Sequence, residues 1–411
     1  MEDNKSTLVP EIRFKGFTNA WEQRKLSNFK DVRDGTHDSP KFYENGHPLV
    51  TSKNLTEVGL DILNVSFIST EDFESINKRS KVDIGDIIFG MIGTIGNPII
   101  IERDDFAIKN VALIKNGGSI PNDFLLQHLK SPIFENYIRF ENAGNTQKFL
   151  GLGKIRDYTF FIPMIGEMNA IGSFFRTLDD SIALFKRKID RLKELKAAYL
   201  QQMFPQAGER VPRVRFKGFE GDWISVALSD VAERVTKKNS RLESTLPLTI
   251  SAQFGLIDQN EFFDKQIASK DVSGYFLLKN GEFAYNKSYS NGYPWGAVKR
   301  LDKYDMGVLS VLYIVFKPTT IDSEFLVQYY ETDNWHTEII KYAAEGARNH
   351  GLLNISPTDF FKTILVVPQI KAEQVAIGNF FRSLDIQITA QQEKLNQLKQ
   401  LKSAYLQKMF V

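Results

Sequence analysis

The sequence predicts a mixed α/β (α+β) chain in which two inserts of strands and helices sit in a repeated frame, with two long helices paired as an antiparallel coiled coil. Three observations lead there. The pentapeptide RFKGF stands at 13–17 and again at 215–219. The segment IGSFFRTLDDSIALFKRKIDRLKELKAAYLQQMF (171–204) returns without a gap as IGNFFRSLDIQITAQQEKLNQLKQLKSAYLQKMF (377–410), with 19 of 34 positions identical. Between these repeated ends lie two stretches of nearly equal length and almost wholly different content. A repeat at fixed offset marks one structural unit used twice. The pseudo-twofold repeat therefore belongs to the frame, and the divergence belongs to the inserts.

The chain opens with a polar arm, 1–20. RFKGF then leads to Trp21, Leu26 and Ser27, which recur as Trp223, Leu228 and Ser229 at the same offset of 202. The first insert spans 21–165. Its runs GDIIFGMI (85–92) and FAIKNVALIK (106–115) are rich in β-branched and aromatic residues and predict strands. DFLLQHLKSPIFENYIRF (123–140) predicts a helix, and YTFFIP (158–163) a closing strand stopped by proline. The glycines of FGMIGTIG (89–96) are spaced like those of a nucleotide loop, but no βαβ pattern surrounds them and Pro98 follows, so a turn between strands is expected.

Next, 166–208 carries the first long helix and a linker. Ile171, Phe175, Leu178, Ile182, Phe185, Ile189 and Leu192 alternate in steps of four and three, the seam of a coiled coil. FPQAGERVPRV (204–214) is polar and flanked by prolines, a linker between halves. The second insert, within 209–370, predicts strands at LPLTISAQF (246–254), GVLSVLYIVF (307–316) and FKTILVVP (361–368), and a helix at SEFLVQYYETDNWHTEIIKYA (323–343). The second long helix fills 371–411, with Ile377, Phe381, Leu384, Ile388, Leu395, Leu398, Tyr405 and Met409 as its seam.

Composition narrows the function. With 411 residues, 42% hydrophobic and 25% charged, the chain is long enough for two or three globular domains. No apolar run approaches the ~20 residues of a membrane span, and MEDNKSTLVP is too acidic and polar for a secretory signal. Cysteine is absent, which removes disulfides, thiolate zinc and cysteine nucleophiles. The expected setting is the cytoplasm, with no membrane partner. The net charge is only +2, so a nucleic-acid role requires cations gathered on one face or a partner that supplies part of the field.

Catalytic signatures are missing. The five histidines are scattered without metal-ligand spacing, and Asp34, His37 and Asp38 of DGTHDSP (34–40) read as a polar loop. NPII (97–100) lacks the second proline and the aromatic of an adenine-methyltransferase site. No catalytic residue, metal or cofactor is expected.

The two helices with FFR.LD and L..LK.AYLQ.MF, the two RFKGF…W entries and the two dissimilar inserts resemble the specificity (S) subunits of type I restriction–modification systems, over essentially the whole chain. DGTHDSPKFYENGHPLVTSKN (34–54) is similar to a loop motif frequent in that family. The resemblance implies that each insert is a target-recognition domain reading one half of a bipartite, asymmetric site in double-stranded DNA. It implies that the coiled coil sets the spacer and docks two methyltransferase (modification) subunits, that restriction/motor subunits join through that core, and that the chain catalyses nothing itself. Two half-sites and two copies of a partner would explain why the frame is repeated. A coiled-coil scaffold whose inserts bind proteins is the rival reading.

Candidate DNA contacts follow from side-chain chemistry: amides and guanidinium groups suit base edges, while Lys, Ser and Thr suit phosphates. In the first insert these are Thr36, His37, Lys41, Ser52, Lys53 and Asn54, then Thr146, Gln147 and Lys148. In the second they are Lys237, Lys238, Asn239, Arg241, Ser251 and Gln253. The glycine-containing loop YNKSYSNGYPW adds Asn286, Lys287, Ser288, Tyr289, Ser290, Asn291 and Tyr293, and Arg348, Asn349 and His350 follow. The basic run KRKIDRLKELK (186–196) reads as a solvated helix face, with phosphate contact across the spacer between half-sites as the alternative. For partner docking the recurring Phe174, Phe175, Arg176 and Asp179, with Phe380, Phe381, Arg382 and Asp385, are expected, because plain core packing would tolerate swaps such as Leu for Ile.

Overall fold

The computed structural model describes residues 9–56, 59–143, 148–251, 254–264, 268–269, 271–288, 292–343 and 353–411. The chain forms two compact units: Met1–Arg187 with Gln392–Val411, and Lys188–Gln391. Both boundaries fall inside the long helices Ile165–Met203 and Lys371–Lys408.

In the first unit, Glu22–Lys25 pairs antiparallel with Thr159–Ile162. A four-stranded antiparallel sheet runs in the order Val32–Asp34, Val111–Ile114, Ile87–Gly90, Gly96–Ile100. Beside it, His47–Thr51 lies between Ser66–Ile68 and Ala107–Lys109, parallel to the latter. The core packs Phe89, Phe124, Phe134 and Phe175 around Trp21.

The second unit repeats this plan with other residues. Ile224–Ala227 pairs with Ile364–Val367. Its four-stranded sheet runs Ala232–Arg234, Ile314–Pro318, Phe283–Asn286, Ala297–Arg300, the same order as in the first unit. Trp223 takes the place of Trp21, in a core with Phe204, Phe325, Tyr329 and Phe381. Inserts that share almost no residues thus share a sheet order. Inward positions need only be apolar and of suitable volume, so Ile87-Ile88-Phe89 and Phe283-Ala284-Tyr285 serve equally.

Two expected strands are each broken in two. FAIKNVALIK divides into Ala107–Lys109 and Val111–Ile114 at Asn110, whose φ is 56°. GVLSVLYIVF divides into Met306–Leu309 and Ile314–Pro318. The helix expected over 123–140 stops at Leu129 and restarts at Pro132, since proline removes a backbone donor and suits only a helix's first turn. FGMIGTIG is the expected turn, between Ile87–Gly90 and Gly96–Ile100.

Within each unit, the parts of the two long helices that belong to it run antiparallel. In the first, the Phe174 ring meets Tyr405 edge-on at 5.0 Å and Lys402 Nζ lies 2.5 Å from Asp179 Oδ1. In the second, Tyr199 meets Phe380 edge-on at 5.0 Å and Lys196 Nζ lies 2.6 Å from Asp385 Oδ1. Position numbers rise along one helix as they fall along the other, and the two sets are the same contacts with the helices exchanged.

Candidate nucleic-acid interface

In each unit three segments meet at one end of the four-stranded sheet, and equivalent hydrogen bonds gather them. Past the first strand, Gly35 N donates to Val111 O (2.9 Å), as Val235 N donates to Val315 O (2.9 Å). At the central hairpin, Leu150 N donates to Met91 O (2.9 Å), as Leu353 N donates to Lys287 O (3.0 Å). The first unit therefore brings together 36–39, 91–95 and 148–150, and the second 236–239, 287–288 with 292–295, and 353–355.

The first unit's loop is strapped to the strand edge. A Cβ at Gly35 would lie 2.3 Å from Ile108 O, so only glycine allows this approach. Thr36 N donates to Ile108 O at 3.0 Å, and the Thr36 hydroxyl accepts from Asp38 N at 3.1 Å. Lys109 Nζ donates to Ser39 Oγ (2.7 Å) and to the Asp38 carbonyl. Buried Asp34 takes hydrogen bonds from Arg79 and from His37 Nε2 (2.9 Å), while His37 Nδ1 lies 2.9 Å from Asn110 Oδ1. Both ring nitrogens of His37 are thus engaged within the fold.

The other candidates divide by exposure. Lys41, 5.5 Å above the Tyr43 ring, stands exposed with Lys53 and Lys148. Ser52 and Asn54 are buried, with Ser52 Oγ donating to Asn110 O (3.0 Å) and Asn54 closing a turn with Thr51 and Asn64. In the second unit Lys237 pairs with Glu243 (2.8 Å), and Lys238 Nζ sits 3.8 Å over the Phe276 ring, where desolvation and then Arg234 lower its pKa. Asn239 is fully buried and bonds both the N–H and the carbonyl of Ser244. Ser251 is buried, its hydroxyl accepting from Phe254 N (3.2 Å). Arg241 is exposed. Asn286 Oδ1 accepts from Ser288 N (3.0 Å). Lys287 is half-buried, its amine 3.4 Å from Ile355 O and its pKa lowered by burial. Tyr293 packs against the Leu278–Val315 cluster. Thr146, Gln147, Gln253, Tyr289, Ser290, Asn291, Arg348, Asn349 and His350 lie outside the described residues.

These placements correct part of the expectation. Ser52, Asn54, Asn239 and Ser251 have the right chemistry, but burial and internal hydrogen bonds take them from the surface. Sequence reading passed over Asn110 and the exposed Thr94 at the hairpin turn. Lone asparagine within an otherwise β-branched run was the available signal, since Asn tolerates φ above zero.

A second correction concerns the recurring FFR.LD. Phe175 and Phe381 are fully buried and cannot present a docking face. Phe174 packs edge-on against Phe14 and Tyr405, and Phe380 against Phe216 and Tyr199. Asp179 receives Gln127 Nε2 (3.0 Å) and Lys402, and Asp385 receives Gln328 Nε2 (3.3 Å) and Lys196. The same intramolecular junction is thus built in both units, with Phe174, Phe380, Asp179 and Asp385 left half-buried. Arg176 and Arg382 stay exposed, Arg176 paired with Asp123.

Among the described residues no group of three or more His, Cys, Asp or Glu could hold a metal ion, and no helix is long and apolar enough to cross a membrane.

Each unit thus carries the same frame around a sheet end of its own. Residues 19–194 match the family model for the type I restriction modification DNA specificity domain. Over 98% of its length the chain is similar in fold to the type I restriction-modification system S subunit from M. genitalium, covering 99% of that chain at 15% identity with a TM-score of 0.61. It is also similar to a protein solved in work on complex assembly and conformational transition of the type I R-M system, at 14% identity, 96% and 98% coverage and a TM-score of 0.51.

Proposed function

We propose that this chain is the non-catalytic, sequence-reading subunit of a type I restriction–modification complex in the cytoplasm. The three-segment sheet end of each unit reads one half of a bipartite, asymmetric site in double-stranded DNA. Residues 21–165 and 209–370 are the two target-recognition domains. The long helices set the unread spacer and dock two methyltransferase subunits, through which restriction/motor subunits join.

One observation carries the reading: the two sheet ends are assembled by the same hydrogen bonds yet present different residues. THDS and MIGTI stand in the first where TKK and Lys287, Ser288 and Tyr293 stand in the second. Reading two unlike sequences calls for that combination, because base edges differ in donors and acceptors while the backbone does not. Exposed Lys41, Lys53 and Lys148 suit phosphates, and Arg241 a base edge or phosphate. Exposed Arg176 and Arg382, with half-buried Phe174, Asp179, Phe380 and Asp385, are the recurring residues left for partner docking.

The test is single-molecule mapping of methylated adenines in cells carrying this chain and its methyltransferase. The expected target is split and asymmetric, with a gap of fixed length. A contiguous or palindromic target, or methyl transfer by the isolated chain, overturns the proposal.

A further inference from the structure

The first unit's reader end converges on one residue with no counterpart among the described residues of the second. Asn110 links Ala107–Lys109 to Val111–Ile114 with a left-handed backbone, a conformation that asparagine tolerates better than most side chains. This single residue carries the chain from the sheet containing His47–Thr51 to the four-stranded sheet.

Its polar contacts go to the loop at 36–39, the hairpin at 91–95 and buried Ser52. Asn110 N donates to Thr36 O at 3.1 Å. Asn110 O accepts from Ser52 Oγ at 3.0 Å and from Met91 N at 3.3 Å. Asn110 Oδ1 lies 2.9 Å from His37 Nδ1. Through the hairpin the links continue, with Leu150 N on Met91 O and Gly93 N on Lys148 O (3.2 Å). In the second unit Ser310–Tyr313 fills the same place, closed by Tyr313 N on Ser310 O (3.2 Å), with Val311 and Leu312 exposed. The Arg–Glu, Lys–Asp and Phe–Tyr contacts of the frame recur, and this hub does not. A feature peculiar to one reader belongs to what that reader discriminates.

We propose that Asn110 is a positioning residue for the first half-site: it touches no base, but its backbone and side-chain oxygen fix the loop at 36–39 and the hairpin at 91–95 relative to each other. The inference rests on the reading that this sheet end meets DNA. Direct readout requires donors and acceptors held in register with base edges, so loosening the hub should cost discrimination before it costs general affinity.

The experiment uses the full chain with its methyltransferase, on duplexes carrying the mapped target and single-base changes in either half-site. Asn110→Gly keeps the backbone conformation and removes Oδ1; Asn110→Asp keeps an acceptor there and tolerates the same φ. The glycine variant is expected to lose about tenfold of discrimination at the first half-site, the worth of roughly one base pair. Discrimination at the second half-site and the salt dependence of binding should stay as in the parent, and Asn110→Asp should restore the first. Ser52→Ala, which removes a hub bond from the other side, should reproduce a smaller loss confined to the same half-site, and serves if the glycine variant does not fold. Equal losses at both half-sites, no loss, or an aspartate variant no better than glycine would overturn the hub while leaving the DNA reading intact. A parent complex that prefers no split sequence would overturn both.

Discussion

At position 128 the first unit buries a histidine where the second has Tyr329. His128 is stacked on Phe160 at 4.4 Å, with Nε2 2.8 Å from the Tyr158 hydroxyl, and burial pushes its pKa from 6.5 down to about 3. The native ring therefore stays neutral while the unfolded chain's ring takes a proton as pH falls through 6.5. The unfolded state then binds more protons, so this residue costs stability between 6.5 and about 3, at up to ~1.4 kcal/mol per pH unit. His128→Phe should flatten that slope; comparing the unfolding free energies of parent and variant from pH 7 to 4 cancels the carboxylates common to both. Equal slopes would mean the buried ring is not held neutral. Asn239 teaches a related lesson about reading residues from sequence. Its amide has the donors and acceptors of a base reader, but its bonds to Ser244 lie inside the fold. Chemistry is legible in a sequence; exposure depends on which loop folds over which, and that was not.

The long helices are held to their units by contacts that occur twice. Arg13 grips Glu167 through two bonds of 2.7 Å, and Arg215 grips Glu373 at 2.7 and 2.8 Å; both carboxylates are 1% exposed. Removing one partner strands a buried charge, so Arg215→Met should destabilise by ~3–5 kcal/mol, measured from the denaturant midpoint. A cost within error would show Glu373 protonated or solvated instead. Glycines mark where helices touch. A Cβ at Gly378 would lie 2.7 Å from both Glu324 Cβ and Phe325 N, and one at Gly172 would lie 2.9 Å from Asp123 Cβ. Alanine favours a helix by ~1 kcal/mol over glycine, yet Gly378→Ala should be net destabilising by ~1–3 kcal/mol through overpacking. Gly166→Ala, whose Cβ would meet only the Phe17 ring at 3.7 Å, is the control and should be stabilising by up to that ~1 kcal/mol. The helices and their seam were plain in the heptads, while their antiparallel sense came from the family resemblance. The purpose of FFR.LD was not, because recurrence says only that the same surface is met twice. Whether that surface belongs to another protein or to the chain itself is decided by packing.

At the scale of the whole chain, the question is what may be exchanged. The two inserts share a sheet order but few residues, so the fold asks little of them beyond apolar inward positions and a few frame contacts. Those contacts are identifiable: Trp21 against Phe124 and Phe410, Gln127 against Asp179, and the close approach of Asp123 to Gly172. An insert from a type I restriction–modification specificity subunit that supplies equivalents of Trp21, Phe124 and Gln127 should therefore seat on this chain's helices in place of 21–165. The second unit's sheet end, built within Lys188–Gln391, keeps all its own contacts in such a chimera. Methylome mapping should then show one half of the target replaced, the other half unchanged and the spacer length retained. Retention of the spacer tests the helices, and replacement of one half tests the insert, so the two claims can fail separately. A chimera in which both halves change would show that the readers depend on each other. One in which neither changes would place the specificity outside the inserts.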